Sequence, residues 1–165
     1  MVTVFFDADG PVYTHIAKKG SSVNGASVVK VLKAFLKQLK KKRPDWEEGT
    51  WFLHWDNAPA HTARVVQDYL AKRRVKMLEH APYSPDLAPA DFFNFPKVKE
   101  ALAGRTLTDS TFRAEWGRAA KTVSKDDCAD AFSKWLDRCK KCVQKHGNYV
   151  EKYQKNKALS CIFDF

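Results

Sequence analysis

Two short runs rich in β-branched and aromatic residues, Val2 to Phe6 and Val12 to Ile16, flank the tetrapeptide Asp7-Ala8-Asp9-Gly10. Strand-like runs around a turn word ending in Asp-Gly predict a β-hairpin. After a Gly/Ser/Asn loop over residues 20–25, Val28, Val31, Leu32, Phe35 and Leu39 recur at helical spacing until Pro44 stops the pattern, which predicts an amphipathic helix. The apolar run Trp51 to Trp55 is broken only by His54 and ends directly in Asp56-Asn57, as a buried strand would. A helix from about Thr62 to Arg73, burying Val65, Val66, Tyr69 and Leu70, leads to a further strand, Val75 to Leu78. Strand, helix, strand is the signature of an at least partly parallel sheet, so the fold class is α/β.

The segment Ala81 to Pro89 carries three prolines, which exclude regular structure there and stiffen the approach to Asp91. Everything beyond Asp91 reads as a helical carboxyl-terminal half, with segments near 97–103, 109–122 and 126–146. Phe132, Trp135 and Cys139 form the expected core stripe of the last segment, and Pro96 should kink or delay the first.

With 165 residues the chain suits one domain, and 44% hydrophobic against 29% charged residues is a globular composition. No apolar run approaches the roughly 18 to 20 residues that span a bilayer, so no membrane partner is expected. The opening MVTVFFDADG lacks the plan of a secretory signal, which makes the four cysteines between Cys128 and Cys161 reduced thiols. The formal charge of +10 favours polyanionic partners. Residues 30–43 contain Lys30, Lys33, Lys37, Lys40, Lys41, Lys42 and Arg43 and no acid. That pattern is either a solvated helix face or a surface for nucleic-acid phosphates, with Lys33, Lys37, Lys40, Lys41 and Arg43 as the candidate contacts.

Asp56 follows a strand and Asp91 opens a helix, so parallel-sheet geometry would bring both to the carboxyl edge, where such folds place their sites. Two carboxylates there can hold Mg²⁺ or Mn²⁺, and a pair of such ions can clamp the attacking and leaving oxygens of a phosphodiester. On spacing alone, an aspartate at a strand end or helix start is more often a turn residue or N-cap. Cys139, Cys142 and His146 with Cys128 form a weaker alternative, a zinc set, because all would fall on or near one helical stretch.

The words Trp55-Asp56-Asn57-Ala58-Pro59-Ala60-His61-Thr62-Ala63 and Tyr83-Ser84-Pro85-Asp86-Leu87-Ala88-Pro89-Ala90-Asp91-Phe92-Phe93, with 34 residues between Asp56 and Asp91, resemble the mariner transposases. The resemblance runs from about Val2 to Glu151 and takes in Lys42-Arg43-Pro44, Phe95-Pro96-Lys97, Gly104-Arg105 and Gly147-Asn148-Tyr149. It implies an RNase H-like catalytic domain over residues 1–151, with a tail over 152–165. It also implies Mg²⁺-dependent DNA cleavage and strand transfer by three aspartates, of which Asp56 and Asp91 match two, and a nuclear setting. His61 and Asn57 belong to the first word, and either would orient Asp56 or a DNA phosphate from behind.

Three departures qualify the resemblance. The family's first aspartate lies in a Thr-Gly-Asp-Glu type word on a strand upstream of the hairpin, and these residues contain no such word. Asp7 reads instead as a hairpin-turn residue. Trp55 stands where the family usually has His, and the family's amino-terminal DNA-reading helices are not among these residues. The sheet is therefore expected to lack its first, central strand, leaving two unpaired edges and a tendency to marginal stability or self-association, as a homodimer or otherwise. The catalytic reading is thus of an impaired transposase domain. Its alternatives are a catalytically silent basic DNA-binding module, which would also use the Lys/Arg-rich segment 134–157, and a decayed reading frame.

Overall fold

The computed structural model describes residues 1–150; the expected tail 152–165, with Cys161, lies outside the described residues. The chain divides into two compact units, one formed by residues 1–19 together with the chain from Ser84 onwards, the other by Gly20–Tyr83.

The first unit opens with the expected hairpin. β1 (Val2–Asp7) pairs antiparallel with β2 (Gly10–Ile16), from Val2 opposite Ile16 to Phe5 opposite Tyr13, with a register slip between Phe5 and Phe6. Asp7 closes the turn by accepting the Asp9 backbone N–H at 2.8 Å, and Gly10 has a φ of 114° that a side chain would strain. The turn role of Asp7 is therefore the observed one. A 3₁₀ turn (Pro85–Leu87) and a single π turn (Ala90–Asn94) lead into α4 (Phe95–Leu102), followed by α5 (Phe112–Ala120) and α6 (Lys125–Gln144); the labels α1 to α3 belong to the second unit. The proline-rich segment is thus more regular than expected, because a proline in a first helical turn has the required φ and no N–H to leave unpaired. Pro96 sits in the first turn of α4 for the same reason, and the α-helix starts only at Phe95, after the π turn.

Val98, Leu102, Trp116, Ala119, Val123 and Cys128 pack with Val2 into the core of this unit, and the Phe6 ring lies against Phe93 and Phe132. The stripe expected on α6 needs correction. Cys128 and Ala131 are its fully buried members, Phe132 and Trp135 are half-buried, and Cys139 is exposed. Continuing the spacing of 128, 131, 132 and 135 reaches Arg138, which is half-buried, and turns Cys139 outward. Cys142 is also only partly covered, so these two thiols do not pack in the core as a pair. Burial pushes the Cys128 thiol up to about 11, so Cys128 should resist alkylation in the native protein far longer than Cys139, as peptide-resolved iodoacetamide labelling would show.

Ser124 and Asp127 cap α6 reciprocally, and Asp127 also pairs with Lys97 of α4 at 2.5 Å. The Lys97 ammonium, with Ser124, holds the Asp127 carboxyl well below its ordinary value of 3.8. A carboxylate depressed by folding stabilises the fold above its unfolded pKa, and that contribution disappears as the pH falls through the folded value. Asp127→Asn should therefore lower the urea midpoint at pH 5, with the gap to the parent protein closing as the pH is taken towards 2.

In the second unit, α1 (Gly25–Lys42) is capped by Asn24 and Ser27, each side chain bonded to the other's backbone N–H at 2.9 Å, and it buries Val28, Leu32, Phe35 and Leu39. β3 (Phe52–His54) pairs parallel with β4 (Lys76–Leu78), Leu53 opposite Met77, and α2 (Pro59–Thr62) and α3 (Arg64–Lys72) form the crossover. The expected single helix is broken at Ala63, which is extended at ψ 138°. The break turns Val65 outward while Val66 and Leu70 stay buried and Tyr69 is half-buried. β3 is less buried than its apolar run suggests, since Leu53 is covered but Phe52 is 59% exposed. Among the described residues the two strand pairs are separate sheets.

Gly25 is needed for the packing of α1 on the crossover, because a Cβ there would lie 2.7 Å from Val65 Cγ1 and 2.9 Å from Ala63 Cβ. Gly25→Ala should destabilise the protein by about 1–3 kcal/mol, the usual cost of overpacking, despite the better helix propensity of Ala. Urea unfolding followed by tryptophan fluorescence measures it.

Candidate functional site

In the second unit, the chain leaving the carboxyl ends of β3 and β4 gathers polar side chains, as parallel α/β geometry dictates. Asp56 lies two residues beyond β3, and its Oδ1 accepts from His61 Nδ1 at 2.6 Å and from the Ala58 backbone N–H at 3.3 Å. The His61 hydrogen bond outweighs partial burial and lowers the Asp56 pKa below its ordinary value, so this is a carboxylate at neutral pH. Oδ2 has no protein hydrogen-bond partner among the described residues. His61 is in turn fixed by the Trp55 indole, stacked on it at 4.3 Å with the planes 6° apart. The tryptophan that departs from the family word thus holds the histidine that holds the aspartate.

Asn57 does not bond to Asp56. Its Nδ2 donates to the His80 carbonyl at 2.8 Å and so ties the end of β3 to the end of β4. His54 and His80 make the same link through their side chains, with His54 Nε2 and His80 Nδ1 3.0 Å apart and the rings edge to face. Burial, then the His80 charge, lowers His54 to about 4, so the pair shares a hydrogen bond with His54 neutral at pH 7. No local pattern marks this pair, because 25 intervening residues separate histidines that only the parallel register brings together.

Asp91 belongs to the first unit, in the π turn, where its backbone N–H donates to Ala88 at 2.9 Å and its side chain is half-buried. π turns are uncommon and recur at functional sites. An ionised, half-exposed carboxylate with one open oxygen, as Asp56 presents, suits a hard cation such as Mg²⁺ or Mn²⁺. Among the described residues no group of three or more His, Cys, Asp or Glu side chains forms a ready ligand set. Cys128, buried in its core, and Cys139, exposed, give no support to the zinc alternative.

The basic residues of α1 are disposed as the pattern predicts. Lys33, Lys37, Lys40 and Lys41 are exposed, and Arg43 is half-buried with Nη1 bonded to the Lys42 carbonyl at 3.1 Å. The structure adds a second group. Lys33 and Arg73 approach the same Tyr69 ring, at 6.0 and 5.8 Å from its centre, which joins the α1 face to Lys72, Arg73, Arg74 and Lys76. Among the described residues no carboxylate lies within ion-pair distance of Lys33, Lys37, Lys40, Lys41 or these four. The second group is plain as charge in the sequence, but its continuity with α1 is a tertiary fact.

No protein-family model matches the chain. The Mos1 mariner transposase of Drosophila mauritiana is 35% identical over 155 residues, which is 92% of this chain and 45% of that protein. A structure of the Mos1 catalytic domain with Raltegravir and Mg superposes with a TM-score of 0.84 at 31% identity, covering 91% of this chain and 76% of that one; a counterpart holds Mn. The Mos1 paired-end complex with the left transposon end matches at a TM-score of 0.83 and 32% identity, over 91% of this chain and 44% of that one. The fold is therefore that of an RNase H-like catalytic domain with a helical carboxyl-terminal half. The chain belongs to the mariner transposase family, and it spans less than half the length of the Mos1 protein.

Proposed function

We propose that this chain supplies two carboxylates of a mariner transposase catalytic domain, Asp56 and Asp91, to a divalent-metal site for phosphodiester chemistry on DNA. The reaction is hydrolysis, in which water attacks the phosphorus and the 3′ oxygen leaves, followed by attack of that 3′ hydroxyl on a target phosphodiester, whose own 3′ oxygen leaves. Mg²⁺ or Mn²⁺ would stabilise the developing charge on the attacking and leaving oxygens. Within the chain, His61 keeps Asp56 ionised and orients it, and Trp55 keeps His61 in place. The observation that carries the reading is Asp56 itself, ionised, open at Oδ2 and set at the carboxyl end of a parallel strand in a chain whose relative was solved with Mg.

Mn²⁺ titration followed by electron paramagnetic resonance tests it. One class of bound ion should weaken in both Asp56→Asn and Asp91→Asn; equal affinity in either variant would remove that residue from the site. DNA is the partner, held non-specifically by Lys33, Lys37, Lys40, Lys41 and Arg43, in line with the relative seen bound to a transposon end. A silent DNA-binding role is the second reading, favoured by the basic strip across Tyr69; salt-dependent binding with no metal site would select it. Self-association forms part of the proposal, supported by short strands with exposed Phe52, Met77 and Leu78, and sedimentation over a concentration series decides it. The setting proposed is the nucleus, where such DNA lies, and imaging of a tagged chain tests that.

A further inference from the structure

Asp86 is a buried carboxylate that the metal reading leaves unused. It is 8% exposed; Oδ2 accepts the Val150 backbone N–H at 2.9 Å, and Oδ1 has no hydrogen-bond partner among the described residues. Its main-chain carbonyl accepts from Nη1 of Arg138, on α6, at 3.1 Å. The same guanidinium lies over the Phe92 ring, 4.1 Å from its centre. Asp86 stands five residues before Asp91 and Phe92 one residue after it, so a single side chain holds the chain on both sides of Asp91, by a main-chain carbonyl before it and an aromatic ring after it.

Between the two grips the chain is closed by local bonds, Leu87 N–H to Ser84, Ala88 N–H to Pro85 and Asp91 N–H to Ala88, at 2.9 to 3.1 Å. These bonds shape the turn but do not fix it to the rest of its unit. Arg138 does so beside the packing of Phe93 on Phe6, and arginine suits the task because a planar guanidinium can donate in its plane while stacking through its face. A lysine ammonium can reach one partner or the other. The Asp86 carboxylate adds an anchor on the opposite side by holding the backbone beyond α6.

We infer that Arg138 is a positioning residue that locks the π turn and so fixes where the Asp91 carboxylate is presented, with Asp86 as its anchor. The inference rests on Asp91 being a metal ligand, as proposed above. Two measurements on the 165-residue chain test it, amide hydrogen exchange over residues 87–94 and Mn²⁺ affinity, in the parent, Arg138→Lys, Phe92→Leu and Asp91→Ala proteins. Phe92→Leu keeps an apolar side chain and removes only the ring, so it serves if the arginine variant folds poorly.

Arg138→Lys should exchange about tenfold faster over residues 87–94, the scale of one lost charge-assisted hydrogen bond, with α1 protection unchanged. Its Mn²⁺ affinity should fall several-fold, and Phe92→Leu should shift both readouts in the same direction. Unchanged exchange in both variants would overturn the clamp. Faster exchange with unchanged Mn²⁺ affinity would overturn the positioning role and leave a purely structural one. Mn²⁺ affinity indifferent to Asp91→Ala would overturn the ligand reading itself, a failure distinct from either of these.

Discussion

Incubated with Mg²⁺ or Mn²⁺ and a transposon-end duplex, the 165-residue chain is expected to leave the DNA uncut. Phosphodiester hydrolysis with two metal ions needs enough carboxylates to space the ions and offset their charge, and these residues offer Asp56 and Asp91 but no Thr-Gly-Asp-Glu word. Lacking one ligand should cost about 3–5 kcal/mol of transition-state stabilisation, roughly 10²- to 10⁴-fold in rate. Asp7 sits in the hairpin turn, where its carboxylate accepts the Asp9 backbone N–H. A nicking assay on supercoiled plasmid and labelled transposon ends gives the answer. Robust cleavage that Asp56→Ala abolishes would mean that another residue of this chain serves as the third carboxylate.

The largest effect on binding should come from the basic strip. Duplex DNA should be held weakly and without sequence preference, and log K should fall linearly with log salt by about 0.9 for each phosphate neutralised. Replacing Lys33, Lys37, Lys40, Lys41 and Arg43 together by Ala should reduce that slope by up to about 4.5 if all five meet phosphates. Replacing Lys72, Arg73, Arg74 and Lys76 should reduce it further, because Tyr69 joins the two groups into one surface. Fluorescence anisotropy over a salt series measures both. A slope that survives the five-fold replacement would make the α1 basic side a solvated helix face, and a slope that survives only the second replacement would confine the surface to α1.

Local rules in the sequence determined the hairpin around Asp7-Ala8-Asp9-Gly10, the extent of α1 up to Pro44 and the strand, helix, strand order of the second unit. Turn chemistry, helical periodicity and proline placement act over a few residues, so they are legible without a neighbour in view. The two words around Asp56 and Asp91 were likewise enough to indicate the family, since fixed residue types at a fixed interval rarely coincide by chance. Tertiary structure alone decided what each side chain meets. Periodicity on α6 marked a stripe through Cys139, but which member faces the core depends on the position of its neighbours, and Arg138 took that place. The apolar run of β3 reads as buried, yet a run is covered only where another layer lies over it, and Phe52 is 59% exposed. The His54–His80 link and the meeting of Lys33 and Arg73 at Tyr69 each join residues that the parallel register or helix packing brings together, and the Trp55–His61–Asp56 stack depends on the course of the turn from β3 into α2. Such contacts depend on separations in space that sequence distance does not encode.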